Sequence, residues 1–195
     1  MEKFQLWAQP WWVNLLILIP VIAFLSSWRK PLLLSWRRLI IIAIFATGFG
    51  FAEAAVVVYL RAAVGLLPGY TGTLSELQHA SETYQQSKAI AQFPQSLLTI
   101  EVCREAATLL MLVSFALLAA PRARERWLAF LWAFAIWDIT YYAGLWATVR
   151  WPASLADLDV LFLIPVPWLA QVWFPFLVSV LTLGAVTLAK SNTVS

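Results

Sequence analysis

Apolar residues arrive along this chain in five long runs, at about 10–28, 38–60, 97–120, 127–149 and 169–189. A helix needs about 20 predominantly apolar residues to cross a hydrocarbon core of about 30 Å, so each run is long enough to span. The breaks between them are of three kinds. Short basic segments follow the first and third runs, a long polar stretch covers 65–95, and a Pro-rich passage covers 151–168. The pattern predicts one all-α membrane domain over 1–195, a polytopic bundle of five transmembrane helices.

The first run resembles a signal peptide in position. It is Trp-rich, lacks a small-x-small cleavage pattern and is followed by Arg29, Lys30, Arg37 and Arg38, so it reads as a retained span. Pro20 and Pro175 are candidate kinks in the first and fifth runs. The second carries Ala43, Ala46, Gly48, Gly50, Ala52, Ala54 and Ala55, which allow close approach of a neighbouring helix. In the polar stretch, Thr73, Leu74, Ser75 and Glu76 fit a capping box. Leu74, Leu77, Tyr84 and Ala91 then recur at near-helical spacing, predicting a surface helix over 74–92 in an extracytoplasmic insertion. The 151–168 passage is too broken by proline to span and reads as interfacial or re-entrant.

Lysine and arginine beside the run ends set an orientation. One side collects Arg29, Lys30, Arg37, Arg38, Arg122, Arg124, Arg126 and Lys190; the other has Lys3, Arg61, Lys88 and Arg150. The positive-inside rule places the amino terminus outside and the carboxyl terminus in the cytoplasm, which requires an odd number of spans. Five satisfies it.

Composition agrees with the membrane reading. Hydrophobic residues make up 62% and charged residues 12%, against about 25% charged in soluble domains. The net charge of +3 does not point to nucleic acid, because most basic residues flank the spans, where they orient helices and meet lipid headgroups. The partner implied is the lipid bilayer. The single cysteine, Cys103, falls inside a span and forms no intrachain disulfide.

Charges inside the spans carry the chemistry. Ionisable groups at that depth are costly and mark functional sites by default. Glu101, Arg104, Glu105 and Thr108 follow i, i+3, i+4, i+7 spacing and form one polar stripe, with Glu101 placed to pair with Arg104. At about 1.5 Å per residue, Glu101, Glu53, Glu105 and Asp138 lie roughly 6, 10, 12 and 16 Å below the outer boundary. They are expected to converge with Tyr141, Tyr142 and Arg61 in one outward-opening pocket. Four carboxylates against Arg61 and Arg104 leave two negative charges to be met by protons, a hard cation or a small cationic substrate.

If a metal binds, Glu53, Glu101, Glu105 and Asp138 supply oxygen ligands suited to calcium, magnesium or manganese. The only histidine, His79, lies in the polar insertion, so neither haem nor zinc is expected on this chain's own ligands. No P-loop, dinucleotide fingerprint or G-x-S-x-G is present. Two other readings stay open: an accessory subunit of a larger membrane complex, whose partners meet these charges, and an acid–base enzyme acting on a lipid or apolar substrate.

The stretches Ile100 to Thr108, Trp137 to Tyr142 and Leu161 to Trp168 resemble those of uncharacterised bacterial multi-pass inner-membrane proteins. The likeness covers roughly the last half of the chain. It implies a bacterial inner-membrane setting and brings no activity with it.

Overall fold

The computed structural model describes residues 4–27, 32–63 and 94–191. Four helices in it are long and apolar enough to cross a membrane: α2 (Trp36–Ala63), α3 (Gln95–Ala119), α4 (Ala123–Val149) and α5 (Trp173–Ser191). A shorter apolar element precedes them, a 3-10 segment Trp11–Ile17 running into α1 (Leu18–Ser27). The expected surface helix at 74–92, His79 and the side chain of Arg61 lie outside the described residues.

Helix ends follow local chemistry. Pro94 precedes α3 with an extended backbone and Pro121 follows its end, since proline lacks the N–H that would continue a helix. Pro175 is the third residue of α5, where a missing N–H costs nothing, so the anticipated interior kink is not needed. α5 begins at Trp173 rather than near Leu169 because the residues before it are paired in a strand. α4 starts earlier than its apolar run, at Ala123. Its first turn buries Glu125, 3.5 Å from Arg122, where a carboxylate meets the positive end of the helix dipole.

α2 and α4 form the most extensive helix pair. Small residues make it possible. A Cβ on Gly50 would stand 2.5 Å from the Trp137 carbonyl oxygen, and one on Gly144 would stand 2.9 Å from the Ala54 Cβ. α5 packs on α1 and α4, while α3 leans on α4 and leaves much of its surface outward.

The Pro-rich passage is an antiparallel hairpin of β1 (Leu158–Phe162) and β2 (Trp168–Gln171), irregular between Val160 and Phe162. The amino-terminal segment adds to its edge: Gln9 and Leu169 exchange backbone hydrogen bonds of 2.8 and 2.7 Å, and Gln5 N–H donates to Gln171 Oε1 at 2.9 Å. Asn14 holds the start of the 3-10 segment, donating to the Ala8 and Trp11 carbonyls and accepting from the Ala8 N–H. Pairing of this kind satisfies backbone polar groups that prolines would otherwise leave bare at an end of the bundle.

Candidate functional site

Between the hairpin and helices α2 to α5 lies a cavity of about 330 Å³. Small-molecule pockets typically run to about 300–1,000 Å³, so this one suits a small ligand. Glu53, Glu101, Arg104, Glu105, Asp138, Tyr141 and Tyr142 all line it. Those residues come from three helices, as the depth argument requires.

Each acid has a distinct set of partners. Arg104 reaches two: its Nε lies 2.6 Å from Glu101 Oε2, and its Nη1 pairs with Glu53 Oε1. Thr108 Oγ1 donates to the other Glu53 oxygen at 3.1 Å. The i, i+3 pair read from the sequence therefore forms, and the same guanidinium also ties α3 to α2. Glu105 Oε2 accepts the Leu163 backbone N–H at 2.7 Å, just past the irregular point of the hairpin ladder. Asp138 Oδ2 accepts the Ser179 hydroxyl of α5 at 2.8 Å.

A fifth acid joins them. Asp159, on β1 and 1% exposed, accepts the Tyr142 hydroxyl at 2.6 Å and the Val160 N–H at 2.7 Å, and it lines the same cavity. Pattern reading left Asp159 in a broken apolar passage, because pairing with Tyr142 depends on a strand that proline-rich sequence does not advertise. Ser179 and Thr182 of α5 were missed as well. Their i, i+3 spacing inside an apolar run was a usable signal.

The rest of the wall is apolar and aromatic. Phe130, Phe134, Trp137 and Tyr141 follow one another up α4 with ring centroids 5.8, 5.4 and 6.1 Å apart, and Phe162 of the hairpin stacks on Phe134 at 6.2 Å. Trp168 closes on Phe162 at 5.2 Å. Such faces attract cations through the ring quadrupole.

Among the described residues, five carboxylates thus face one guanidinium around a common space. Among the described residues, no three His, Cys, Asp or Glu side chains come together as a metal-holding group. The oxygen set of Glu53, Glu101, Glu105 and Asp138 is not assembled as ligands, because Arg104 takes up Glu53 and Glu101 and the remaining two are anchored to different elements. No protein-family model, curated protein or solved structure matches the chain, so the site's chemistry is read from its own geometry.

Proposed function

We propose that this is a multi-pass protein of a bacterial inner membrane whose cavity is an outward-opening pocket for a small organic cation. The observation that carries this reading is the charge balance of the cavity: among the described residues, five buried carboxylates stand against one guanidinium, within aromatic walls. An anion would meet net repulsion there. A bare hard ion would want several oxygens at about 2.3–2.6 Å and gain nothing from the rings, whereas an ammonium on an apolar body uses both.

Topology supports the outward opening. The 3-10 segment and α1 together extend roughly 29 Å at about 2.0 and 1.5 Å per residue, sufficient for a fifth crossing with slight thinning of the bilayer. With five crossings, the basic clusters around Arg37 and Arg122 face the cytoplasm and the hairpin end faces outward. Cysteines introduced beside Arg122 should react only with reagents that reach the cytoplasm. Labelling there from outside would overturn the orientation.

The binding proposal is tested on the purified chain in nanodiscs of zwitterionic lipid, titrated with n-alkylamines by calorimetry or tryptophan fluorescence. Saturable binding is expected, weakened about tenfold by Glu105→Gln, the size of one lost charge contact of about 1.4 kcal/mol, and unchanged by Glu76→Gln in the polar insertion. Equal affinity in both variants, or binding that never saturates, would refute the pocket.

A further inference from the structure

Indoles elsewhere in the bundle find acceptors. Trp132 donates to the Leu39 carbonyl at 3.0 Å, and the Trp173 N–H reaches the Gln5 carbonyl at 3.3 Å and Gln171 Oε1 at 3.2 Å. Trp137 and Trp168 differ. Among the described residues, theirs are the buried indole nitrogens that have no acceptor, and both residues line the cavity. Trp137, on α4, is 6% exposed; Trp168 opens β2 and is half-buried as a residue, with its indole nitrogen covered. A buried indole N–H is normally paired, so two unpaired ones on the wall of one cavity point to acceptors that an occupant supplies.

The two donors belong to one aromatic wall. The Phe134 ring lies 5.4 Å from Trp137 and 6.2 Å from Phe162, which in turn lies 5.2 Å from Trp168, so helix and hairpin contribute one indole each. Phenylalanine at both places would furnish the same apolar surface without a donor to satisfy. The neighbouring acids are turned to other donors: Glu105 to the Leu163 N–H, Asp138 to the Ser179 hydroxyl, and Asp159 to Tyr142 and the Val160 N–H.

Resting on the organic-cation reading above, we infer that the occupant is an amine that also carries a neutral oxygen acceptor, an ether, hydroxyl or carbonyl, which takes the indole N–H groups of Trp137 and Trp168 while the ammonium faces the acids. The charge balance excludes an anionic acceptor, because a carboxylate or phosphate on the ligand would be repelled by the same acids that attract its ammonium. A neutral oxygen escapes that repulsion and offers two lone pairs, enough for two N–H donors. A plain alkylamine brings only donors. It would meet the acids and the rings and leave both indoles as they are, so a site of this kind discriminates against a ligand that lacks the oxygen.

The test uses the full chain in zwitterionic nanodiscs, with empty nanodiscs as the blank, and compares n-alkylamines with alkoxyalkylamines in which one methylene at a time is replaced by an ether oxygen. In a purely apolar pocket that exchange weakens binding at every position, because the oxygen leaves water without a partner. Here one position should reverse the sign and bind about tenfold more tightly than the parent alkylamine. The double variant Trp137→Phe, Trp168→Phe keeps two aromatic rings and removes both donors, so the ratio of ether to alkyl affinity should fall to one or below. If every ether binds no better than its parent, or if the advantage survives in the double variant, the inference is overturned and the organic-cation pocket stands. Failure of every amine to bind overturns both. The comparison on the unaltered chain decides the first point without any substitution, so a variant that fails to fold does not blunt it.

Discussion

The two ends of this bundle are built from the same helices on different principles. Toward the basic turn at Pro121, the contacts are mainly apolar, with the Glu125–Arg122 pair at the margin: Leu39, Ile42, Ala46, Leu112, Ala116, Leu128 and Ala129 form a buried cluster, and Phe45 stacks on Phe115 with centroids 4.1 Å apart. The indole of Trp132, donating to the Leu39 carbonyl at 3.0 Å, is a polar tie within it. Toward the hairpin, the same helices carry four buried carboxylates around a cavity, and β1 adds Asp159 as a fifth. In lipid, apolar side chains gain little by leaving the bilayer for one another, so the first end is held by shape and close packing. The second is held by specific donors meeting specific acceptors. Removal of one partner should therefore cost most at the hairpin end, and changes of volume should dominate elsewhere.

The largest effect belongs to Arg104. Its guanidinium serves Glu53 on α2 and Glu101 on its own helix, so Arg104→Ala leaves two buried carboxylates without their cation. A loss of about 3–5 kcal/mol is expected, read as a drop in the denaturation midpoint in detergent or as failure to accumulate. Arg104→Lys should recover only part of it, since one ammonium cannot reproduce a planar fork that reaches both acids. Normal stability of Arg104→Ala would erase the distinction between the two ends.

Volume is tested at the α2–α4 contact. Gly50→Leu drives a side chain into the Trp137 carbonyl and should cost about 1–3 kcal/mol, as overpacking does. Gly48→Ala, with nothing within 4 Å of the added Cβ, should be neutral or should stabilise α2 by up to about 1 kcal/mol through helix propensity. Equal behaviour of the two glycines in thermal unfolding would mean that α2 and α4 do not approach as closely as described.

Tyr142→Phe is a smaller perturbation. It removes the hydroxyl from Asp159, which keeps the Val160 N–H, so a cost of about 1 kcal/mol is expected. Faster amide exchange should be confined to 158–171. Exchange that rises evenly through all helices would show instead that this bond supports the whole bundle.

These contrasts mark what pattern alone could carry. Long apolar runs show themselves, and so did α2, α3 and α4, together with the polar stripe of Glu101, Arg104, Glu105 and Thr108. Helical period makes such neighbours readable without tertiary knowledge. The hairpin did not show itself. Val160, Leu161 and Phe162 look like any apolar passage, and only the pairing of β1 with β2 and the amino-terminal segment gives Asp159 a place at the cavity. The partner of Glu105 was also hidden, because it is a backbone N–H, which no side-chain pattern encodes. Convergence of acids was legible from depth; which acids were already occupied was not.

Among the exchanges at the hairpin end, Glu105→Gln should have the smallest effect on stability and the clearest effect on binding. The glutamine carbonyl oxygen can keep accepting the Leu163 N–H, so the tie between α3 and the hairpin persists. Removing the charge also removes the cost of holding it away from water, which offsets any loss in strength of that one bond. The midpoint of unfolding should shift by less than about 1 kcal/mol, whereas Glu105→Ala, which strips the acceptor from a buried N–H, should cost about 1–3 kcal/mol. Amine binding should fall in both variants. If Glu105→Gln proves as damaging as Arg104→Ala, Glu105 is a structural acid like Glu53, and the charge contact expected for an amine is not its role.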